Sequence, residues 1–112
     1  MKLQVYELNV QRSDALHSHV EQRFKTALAR ILRRIGAVVV RFADVNGPRG
    51  GADKRCDVQV QLDGGQTVRI RETDRCLYRA VDRAAKRARR VAKDRLRRQR
   101  MKKRSGPRRR SE

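Results

Sequence analysis

The chain has no tryptophan, only two tyrosines and only two phenylalanines among its 112 residues. So few rings exclude a nucleic-acid surface built mainly on stacked aromatics. Its two cysteines, Cys56 and Cys76, do not make a disulfide framework, and both read as free thiols in a reducing cytoplasm. No apolar run approaches the roughly 20 residues needed to span a bilayer. Met1-Lys2 leads straight into a strand-like stretch, so no signal peptide is expected and the localisation read is cytoplasmic. Chemical constellations are missing as well. There is no Cys-x-x-Cys, and His17 and His19 stand two apart, which on a helix points them away from each other. The linear pattern holds no Ser/His/Asp or Cys/His grouping. These absences predict no catalytic residue, no metal, no cofactor and no small-molecule substrate. Acidic residues are scarce too: 12 against 31 Lys and Arg, a formal net charge of +19.

That charge is unevenly spread. Residues 75–112 hold 18 Lys and Arg against three acids, whereas residues 1–74 hold 13 against nine. A magnitude of about 2–8 suffices to keep a small domain soluble. The excess points to a polyanionic partner. It is concentrated in Asp74–Arg100, a stretch without Pro or Gly. On a helical wheel Leu77, Val81, Ala84, Ala85, Ala88 and Ala92 fall on one side, flanked by Tyr78 and Leu96. Arg79, Arg83, Lys86, Arg90 and Arg97 fall on the other, with Arg87 and Lys93 beside them. Like charges at i, i+4 repel by a few tenths of a kcal/mol per pair. A helix that carries so many gains something outside itself. Thr73 or Asp74 is the expected N-cap. Asp82 and Asp94 read as local charge partners for arginines.

The rest of the chain supplies a scaffold. Leu3–Val10 is a strand whose facing is open, because Leu3 and Val5 disagree in phase with Tyr6, Leu8 and Val10. Ser13 caps a first helix whose stripe runs Leu16, Val20, Phe24, Ala27, Leu28, Ile31, Ile35, with Gly36 as its stop. Ala37–Ala43 is a second strand. Asp44–Asp53 is a turn-rich loop with Arg49 at its tip, placed to touch a phosphate; it lacks the ending of a P-loop. Lys54–Asp63 alternates, with Cys56, Val58, Val60 and Leu62 inward. Gly64-Gly65 makes a two-residue hairpin turn, and Gln66–Glu72 returns with Val68 and Ile70 inward. The outward positions Gln59, Gln61, Thr67, Arg69 and Arg71 read as a polar solvated face. The order β-α-β-β-β-α predicts a two-layer α+β domain: a four-stranded mixed sheet, strands one and two parallel, with both helices on one face. Residues 1–100 form this domain, and 101–112 form a disordered basic tail.

Three segments carry a resemblance. Phe42-Ala43-Asp44-Val45-Asn46-Gly47-Pro48 looks like a strand-to-loop segment of the ribosome hibernation factors, the family of hibernation promoting factor and ribosome-associated protein Y. Cys56-Asp57-Val58-Gln59-Val60 with Val68-Arg69-Ile70 resembles its central hairpin. Leu77-Tyr78-Arg79-Ala80-Val81-Asp82 resembles the opening of its second helix, with Arg79 where Ala is usual. The resemblance covers roughly residues 3–100 and implies a fold like that of double-stranded-RNA-binding domains. It implies a factor that binds the small ribosomal subunit between head and body, contacts its rRNA and silences translation in stationary phase or stress. The implied contacts are the basic outer faces of both helices: Arg23, Lys25, Arg30 and Arg33 on the first, and Arg79, Arg83, Lys86, Arg87, Arg90, Lys93 and Arg97 on the second. The family's long form carries a C-terminal dimerisation domain that this chain does not show, so it is expected not to pair ribosomes by itself and to be a monomer when free, away from membranes. The competing reading is a general RNA- or DNA-binding structural protein of ribosomal or nucleoid type.

Overall fold

The alternating stretches and apolar stripes assemble as two layers. The computed structural model describes residues 1–45 and 54–105, the last three as backbone only. The elements are β1 (Lys2–Leu8), α1 (Asp14–Ala27), a 3₁₀ segment (Ala29–Arg34), β2 (Ile35–Asp44), β3 (Lys54–Leu62), β4 (Thr67–Asp74) and α2 (Leu77–Ser105). The sheet order is β1-β2-β3-β4, with β1 parallel to β2 and the other pairs antiparallel. Both helices bury their stripes against the same face of this sheet, which is the expected α+β architecture.

The core is built from unequal contributions. Phe24 and Leu28 from the first helical region and Phe42 from β2 supply bulk, and the sheet adds Val38, Val40, Val58, Val60 and Val68, all essentially inaccessible to solvent. Helix α2 contributes mostly alanine: Ala80, Ala84, Ala85, Ala88 and Ala92, together with Val81 and Leu96. Alanine has the highest helix propensity and lets the helix axis come close to the strands. The 29 residues of α2 span about 43 Å, more than a strand of eight or nine residues covers. Its C-terminal part therefore outruns the sheet.

Several boundaries differ from those read in the sequence. The Ser13 cap is as expected: its side chain accepts from the Leu16 N–H at 3.2 Å. The first helix, however, ends at Ala27, and Ile31 sits at a kink between tighter turns with φ −123°. Ile35 belongs to β2, where it is buried, and Gly36 lies beside the register shift between Ile35 and Ala37 rather than stopping a helix. The chain must turn early because Ile35 pairs with Leu62, which a continued helix would prevent. The hairpin connection is also one residue longer than expected. Leu62 N–H donates to the Gln66 carbonyl at 2.8 Å and Gly65 N–H to the Leu62 carbonyl at 3.2 Å, so Asp63-Gly64-Gly65 forms the loop. Gly64 and Gly65 hold φ of 89° and 88°, where a side chain is strained.

Asp74 is not the N-cap of α2. It ends β4, and its carboxylate accepts from the Cys76 N–H at 2.9 Å in the turn before the helix. At its other end α2 continues five residues past the domain boundary read at Arg100, to Ser105. The remainder of the tail and the loop bearing Arg49 lie outside the described residues.

Candidate nucleic-acid interface

The polar surface of α2 divides into two sides with different chemistry. Arg79, Arg83 and Arg87 recur at i, i+4 and lie over the end of β4. Arg83 donates to Asp74 at 2.9 Å, to Glu72 at 3.2 Å and to the Thr73 carbonyl at 2.7 Å. Arg87 reaches Glu72 at 2.7 Å and the Arg71 carbonyl at 3.0 Å. Arg79 reaches Asp74 at 3.3 Å. These guanidiniums are largely exposed, but both carboxylates are mostly covered, at 14% accessibility. The Arg83 guanidinium, held by Asp74 and then Glu72, is shifted further toward its charged form. The three arginines tie the helix to the sheet edge.

The carboxylates answer with shifted acidity. Asp74 is lowered from 3.8 to about 2, first by the Cys76 backbone N–H and then by Arg83 and Arg79. For Glu72, partial burial pushes upward, but hydrogen bonds from Arg87 and Arg83 outweigh it and the net shift is downward. A carboxyl whose folded value is depressed adds stability above its unfolded value, and that stability is lost as pH falls through the folded value. The thermal midpoint should therefore drop between about pH 4 and pH 2. Asp74→Asn keeps an acceptor for the Cys76 N–H but no charge, so it should flatten part of that drop in a thermal melt series. An acid slope unchanged in Asp74→Asn would contradict this role.

The other side of α2 faces α1 and the 3₁₀ segment. Near its start, Asp82 accepts from Arg23 at 3.0 Å and pairs with His19 at 2.8 Å, and the His19 ring meets Tyr78 edge-on at 4.9 Å. Asp82 is thus a bridge between the helices. Further along, Arg30 and Arg34 on the 3₁₀ segment face Lys86, Arg89, Arg90, Lys93, Arg97 and Arg100 across an open groove floored by Ile31, Val91 and Leu96, with Asp94 as the acid in its lining. Arg97 and Arg98 pair with Asp94 at 3.0 and 3.2 Å. Arg30, Lys86, Arg89, Arg90 and Lys93 have no carboxylate partner among the described residues. Among the described residues their charge is uncompensated.

A polar latch holds the distal half of α2. Gln99 donates to the Asp63 carbonyl at 2.9 Å and accepts from Arg34 at 3.5 Å. Arg34 also pairs with the Asp63 carboxylate at 3.5 Å, and its carbonyl accepts from the Asp63 N–H at 2.9 Å. The fit is close: a Cβ on Gly64 would stand 2.7 Å from the Gln99 amide nitrogen. The hairpin tip thereby fixes one wall of the basic groove.

Of the residues expected to meet RNA, the fold gathers Arg30, Lys86, Arg90, Lys93 and Arg97 around this groove. Arg23 is engaged by Asp82, and Lys25 pairs with Glu21 at 3.1 Å one turn back. Arg33 is exposed on the 3₁₀ segment outside the groove. Arg79, Arg83 and Arg87 form the clamp on β4. Arg34, Arg89 and Arg100 join the groove without having been singled out. Only their neighbourhood in a basic run signalled them. The remaining titratable candidates are occupied otherwise. His17 pairs with Glu7, and the Cys56 thiol is pushed up to about 12 by burial and then by the charges of Asp57 and Glu72. Among the described residues no three His, Cys, Asp or Glu are grouped to hold a metal, and no helix is long and apolar enough to cross a membrane.

The family described as sigma 54 modulation protein / S30EA ribosomal protein matches residues 3–100. Among solved structures, the chain is similar to the N-terminal domain of Protein Y from Thermus thermophilus. The two are 27% identical with a TM-score of 0.70, over 84% of this chain and 98% of that one. It is similar in fold to a ribosomal subunit interface protein from Coxiella burnetii, at 20% identity and a TM-score of 0.70, over 86% of this chain and 99% of that one. No curated protein matches the sequence at a significant level.

Proposed function

The chain belongs to the sigma 54 modulation protein / S30EA ribosomal protein family, and from that membership we propose that it binds the ribosome, contacts rRNA of the small subunit and holds translation silent in stationary phase or stress. The observation that carries the reading is the groove between the 3₁₀ segment and distal α2, where Arg30, Lys86, Arg89, Arg90 and Lys93 stand without carboxylate partners among the described residues. A folded domain gains nothing internally from that crowding, and a phosphate backbone relieves it. The likeness in fold to a ribosomal subunit interface protein, that of Coxiella, supports the same partner. The cations along both walls of the groove suit a backbone contact that carries no base information.

Pelleting with ribosomes from cell extract, challenged with excess duplex DNA, tests this. The protein should stay with the ribosomes; quantitative transfer to the DNA would instead support a general nucleic-acid-binding structural protein. Salt gives a second reading of the mechanism. If five to seven cations neutralise phosphates, log K should fall with log salt at a slope of about −4 to −6. A flat response between low and physiological salt would remove phosphate contact as the basis of binding.

A further inference from the structure

The outward face of the sheet, on the side opposite the helices, carries its own pattern. The pairing registers align Tyr6, Arg41, Asp57 and Arg71 in one row across all four strands. The next row is Gln4, Val39, Gln59 and Arg69. Tyr6, whose facing the sequence left open, thus stands on this outer face. It is 47% exposed, with the Arg41 guanidinium 5.6 Å from its ring centre. Asp57 is the only acid at the outward strand positions and is taken up by Arg55 at 3.1 Å and Arg71 at 2.6 Å. Arg69 and Arg41 have no carboxylate among the described residues. With Lys2 at the near end, this face is basic in its own right, independently of α2.

We propose that the outer sheet face is a second RNA surface, which takes a single-stranded segment by stacking a base on Tyr6 and holding its phosphates with Arg41 and Arg69. The Arg41 guanidinium lies over the exposed Tyr6 ring, and an unpaired base stacks on a ring or on a guanidinium plane alike, whereas a duplex keeps its bases from a flat sheet. The half-buried amides of Gln4 and Gln59, between the ring and Arg69, offer both donors and acceptors to base edges. Positive charge with a single neutralised acid disfavours a basic or neutral peptide and suits a polyanion. The domain then has RNA-binding faces on both layers, the groove reading duplex-like backbone and the sheet reading a single strand.

Tyrosine emission tests this directly, because the chain has no tryptophan and only two tyrosines. In full-length Tyr78→Phe protein, Tyr6 is the sole emitter. The Arg90→Glu/Lys93→Glu changes are added so that the groove does not dominate binding. Oligouridine should quench Tyr6, and inorganic polyphosphate, which has charge but no bases, should not. Binding of the same oligonucleotide, followed by anisotropy of an end label, should weaken roughly 5- to 150-fold in Tyr6→Ala and be retained in Tyr6→Phe. Absence of quenching at saturating oligouridine, or equal quenching by polyphosphate, overturns the proposal and leaves this face to a protein partner or a second copy. The outcome is separable from the groove reading: loss of ribosome pelleting by the parent protein would remove that reading while leaving the Tyr6 response intact.

Discussion

Val81→Asp should abolish the cooperative thermal transition of this domain. Val81 is fully buried, in a helix stripe whose neighbours Ala80, Ala84, Ala85 and Ala88 are buried too. The stripe packs on the sheet valines and on the α1 residues Val20 and Phe24. The clamp arginines that engage Glu72 and Asp74 lie on the exposed surface of α2 and offer the new carboxylate no partner. Burying an unpaired carboxylate costs several kcal/mol even after its acidity shifts to keep it protonated. A small domain has about 5–15 kcal/mol in all, so most of its stability disappears. Helix α2 is especially exposed to this loss, because its alanines contribute little apolar area of their own. The measurement is far-UV circular dichroism against temperature, with ribosome pelleting in parallel; both the transition and the pelleting should be lost. A variant that melts near the parent would show that Val81 does not face the core. Val81→Ala provides the graded control, since it removes methyl groups without adding charge and should lower the midpoint while leaving a cooperative transition.

The contrast between what periodicity reveals and what it hides follows the range of the interactions. The β3–β4 hairpin was legible because each strand alternates strictly and one face of the sheet is dry, so Cys56, Val58, Val60, Val68 and Ile70 have only one solution. The stripe of α2 was legible for the same reason at the helical period, apart from Ala80 at its margin. The end of the first helix was not, because Leu28, Ile31 and Ile35 satisfy a helical stripe and a 3₁₀ turn leading into a strand equally well. The pairing of Ile35 with Leu62 decides between them, and that contact is remote in sequence. Tyr6 was ambiguous for a related reason. β1 pairs on one side alone, and its apolar residues occupy both faces, so register with β2 assigns them.

The candidate interface was half legible. Counting arginines along α2 finds a basic rod but cannot tell an unpartnered cation from one already engaged. Glu72 and Asp74 make that distinction, and they belong to β4, eleven residues from Arg83 in the one case and nine in the other. The sequence offered those acids only as the end of a strand and a helix cap. The division of labour on α2 is thus a tertiary property: the N-terminal arginines direct their charge to the sheet edge, and the distal cations face the groove.

That division predicts opposite outcomes for two sets of charge changes on one helix. Arg90→Glu/Lys93→Glu should weaken ribosome binding by about 100-fold or more, taking roughly 1.5–3 kcal/mol for each charge-assisted hydrogen bond to phosphate that is removed. The salt slope should become shallower by about two, one for each phosphate no longer neutralised. Stability should not suffer, because neither side chain has a carboxylate partner among the described residues and both are exposed. Reversal at Arg90 converts its i, i+4 repulsion with Lys86 into attraction but sets a like charge i, i+4 from Asp94, so the thermal midpoint should hold. Arg83→Gln should behave the other way. It withdraws the guanidinium that bridges Glu72, Asp74 and the Thr73 carbonyl, so the midpoint should fall at neutral pH. The deficit should narrow in acid as those carboxylates take up protons. Ribosome binding by the folded fraction should change little, since Arg83 is engaged within the domain. Thermal melts and ribosome pelleting on both variants measure all four effects. Failure of Arg83→Gln to bind ribosomes at full stability, or undiminished binding by the groove variant, would move the RNA-binding surface from the groove to the clamp side of α2.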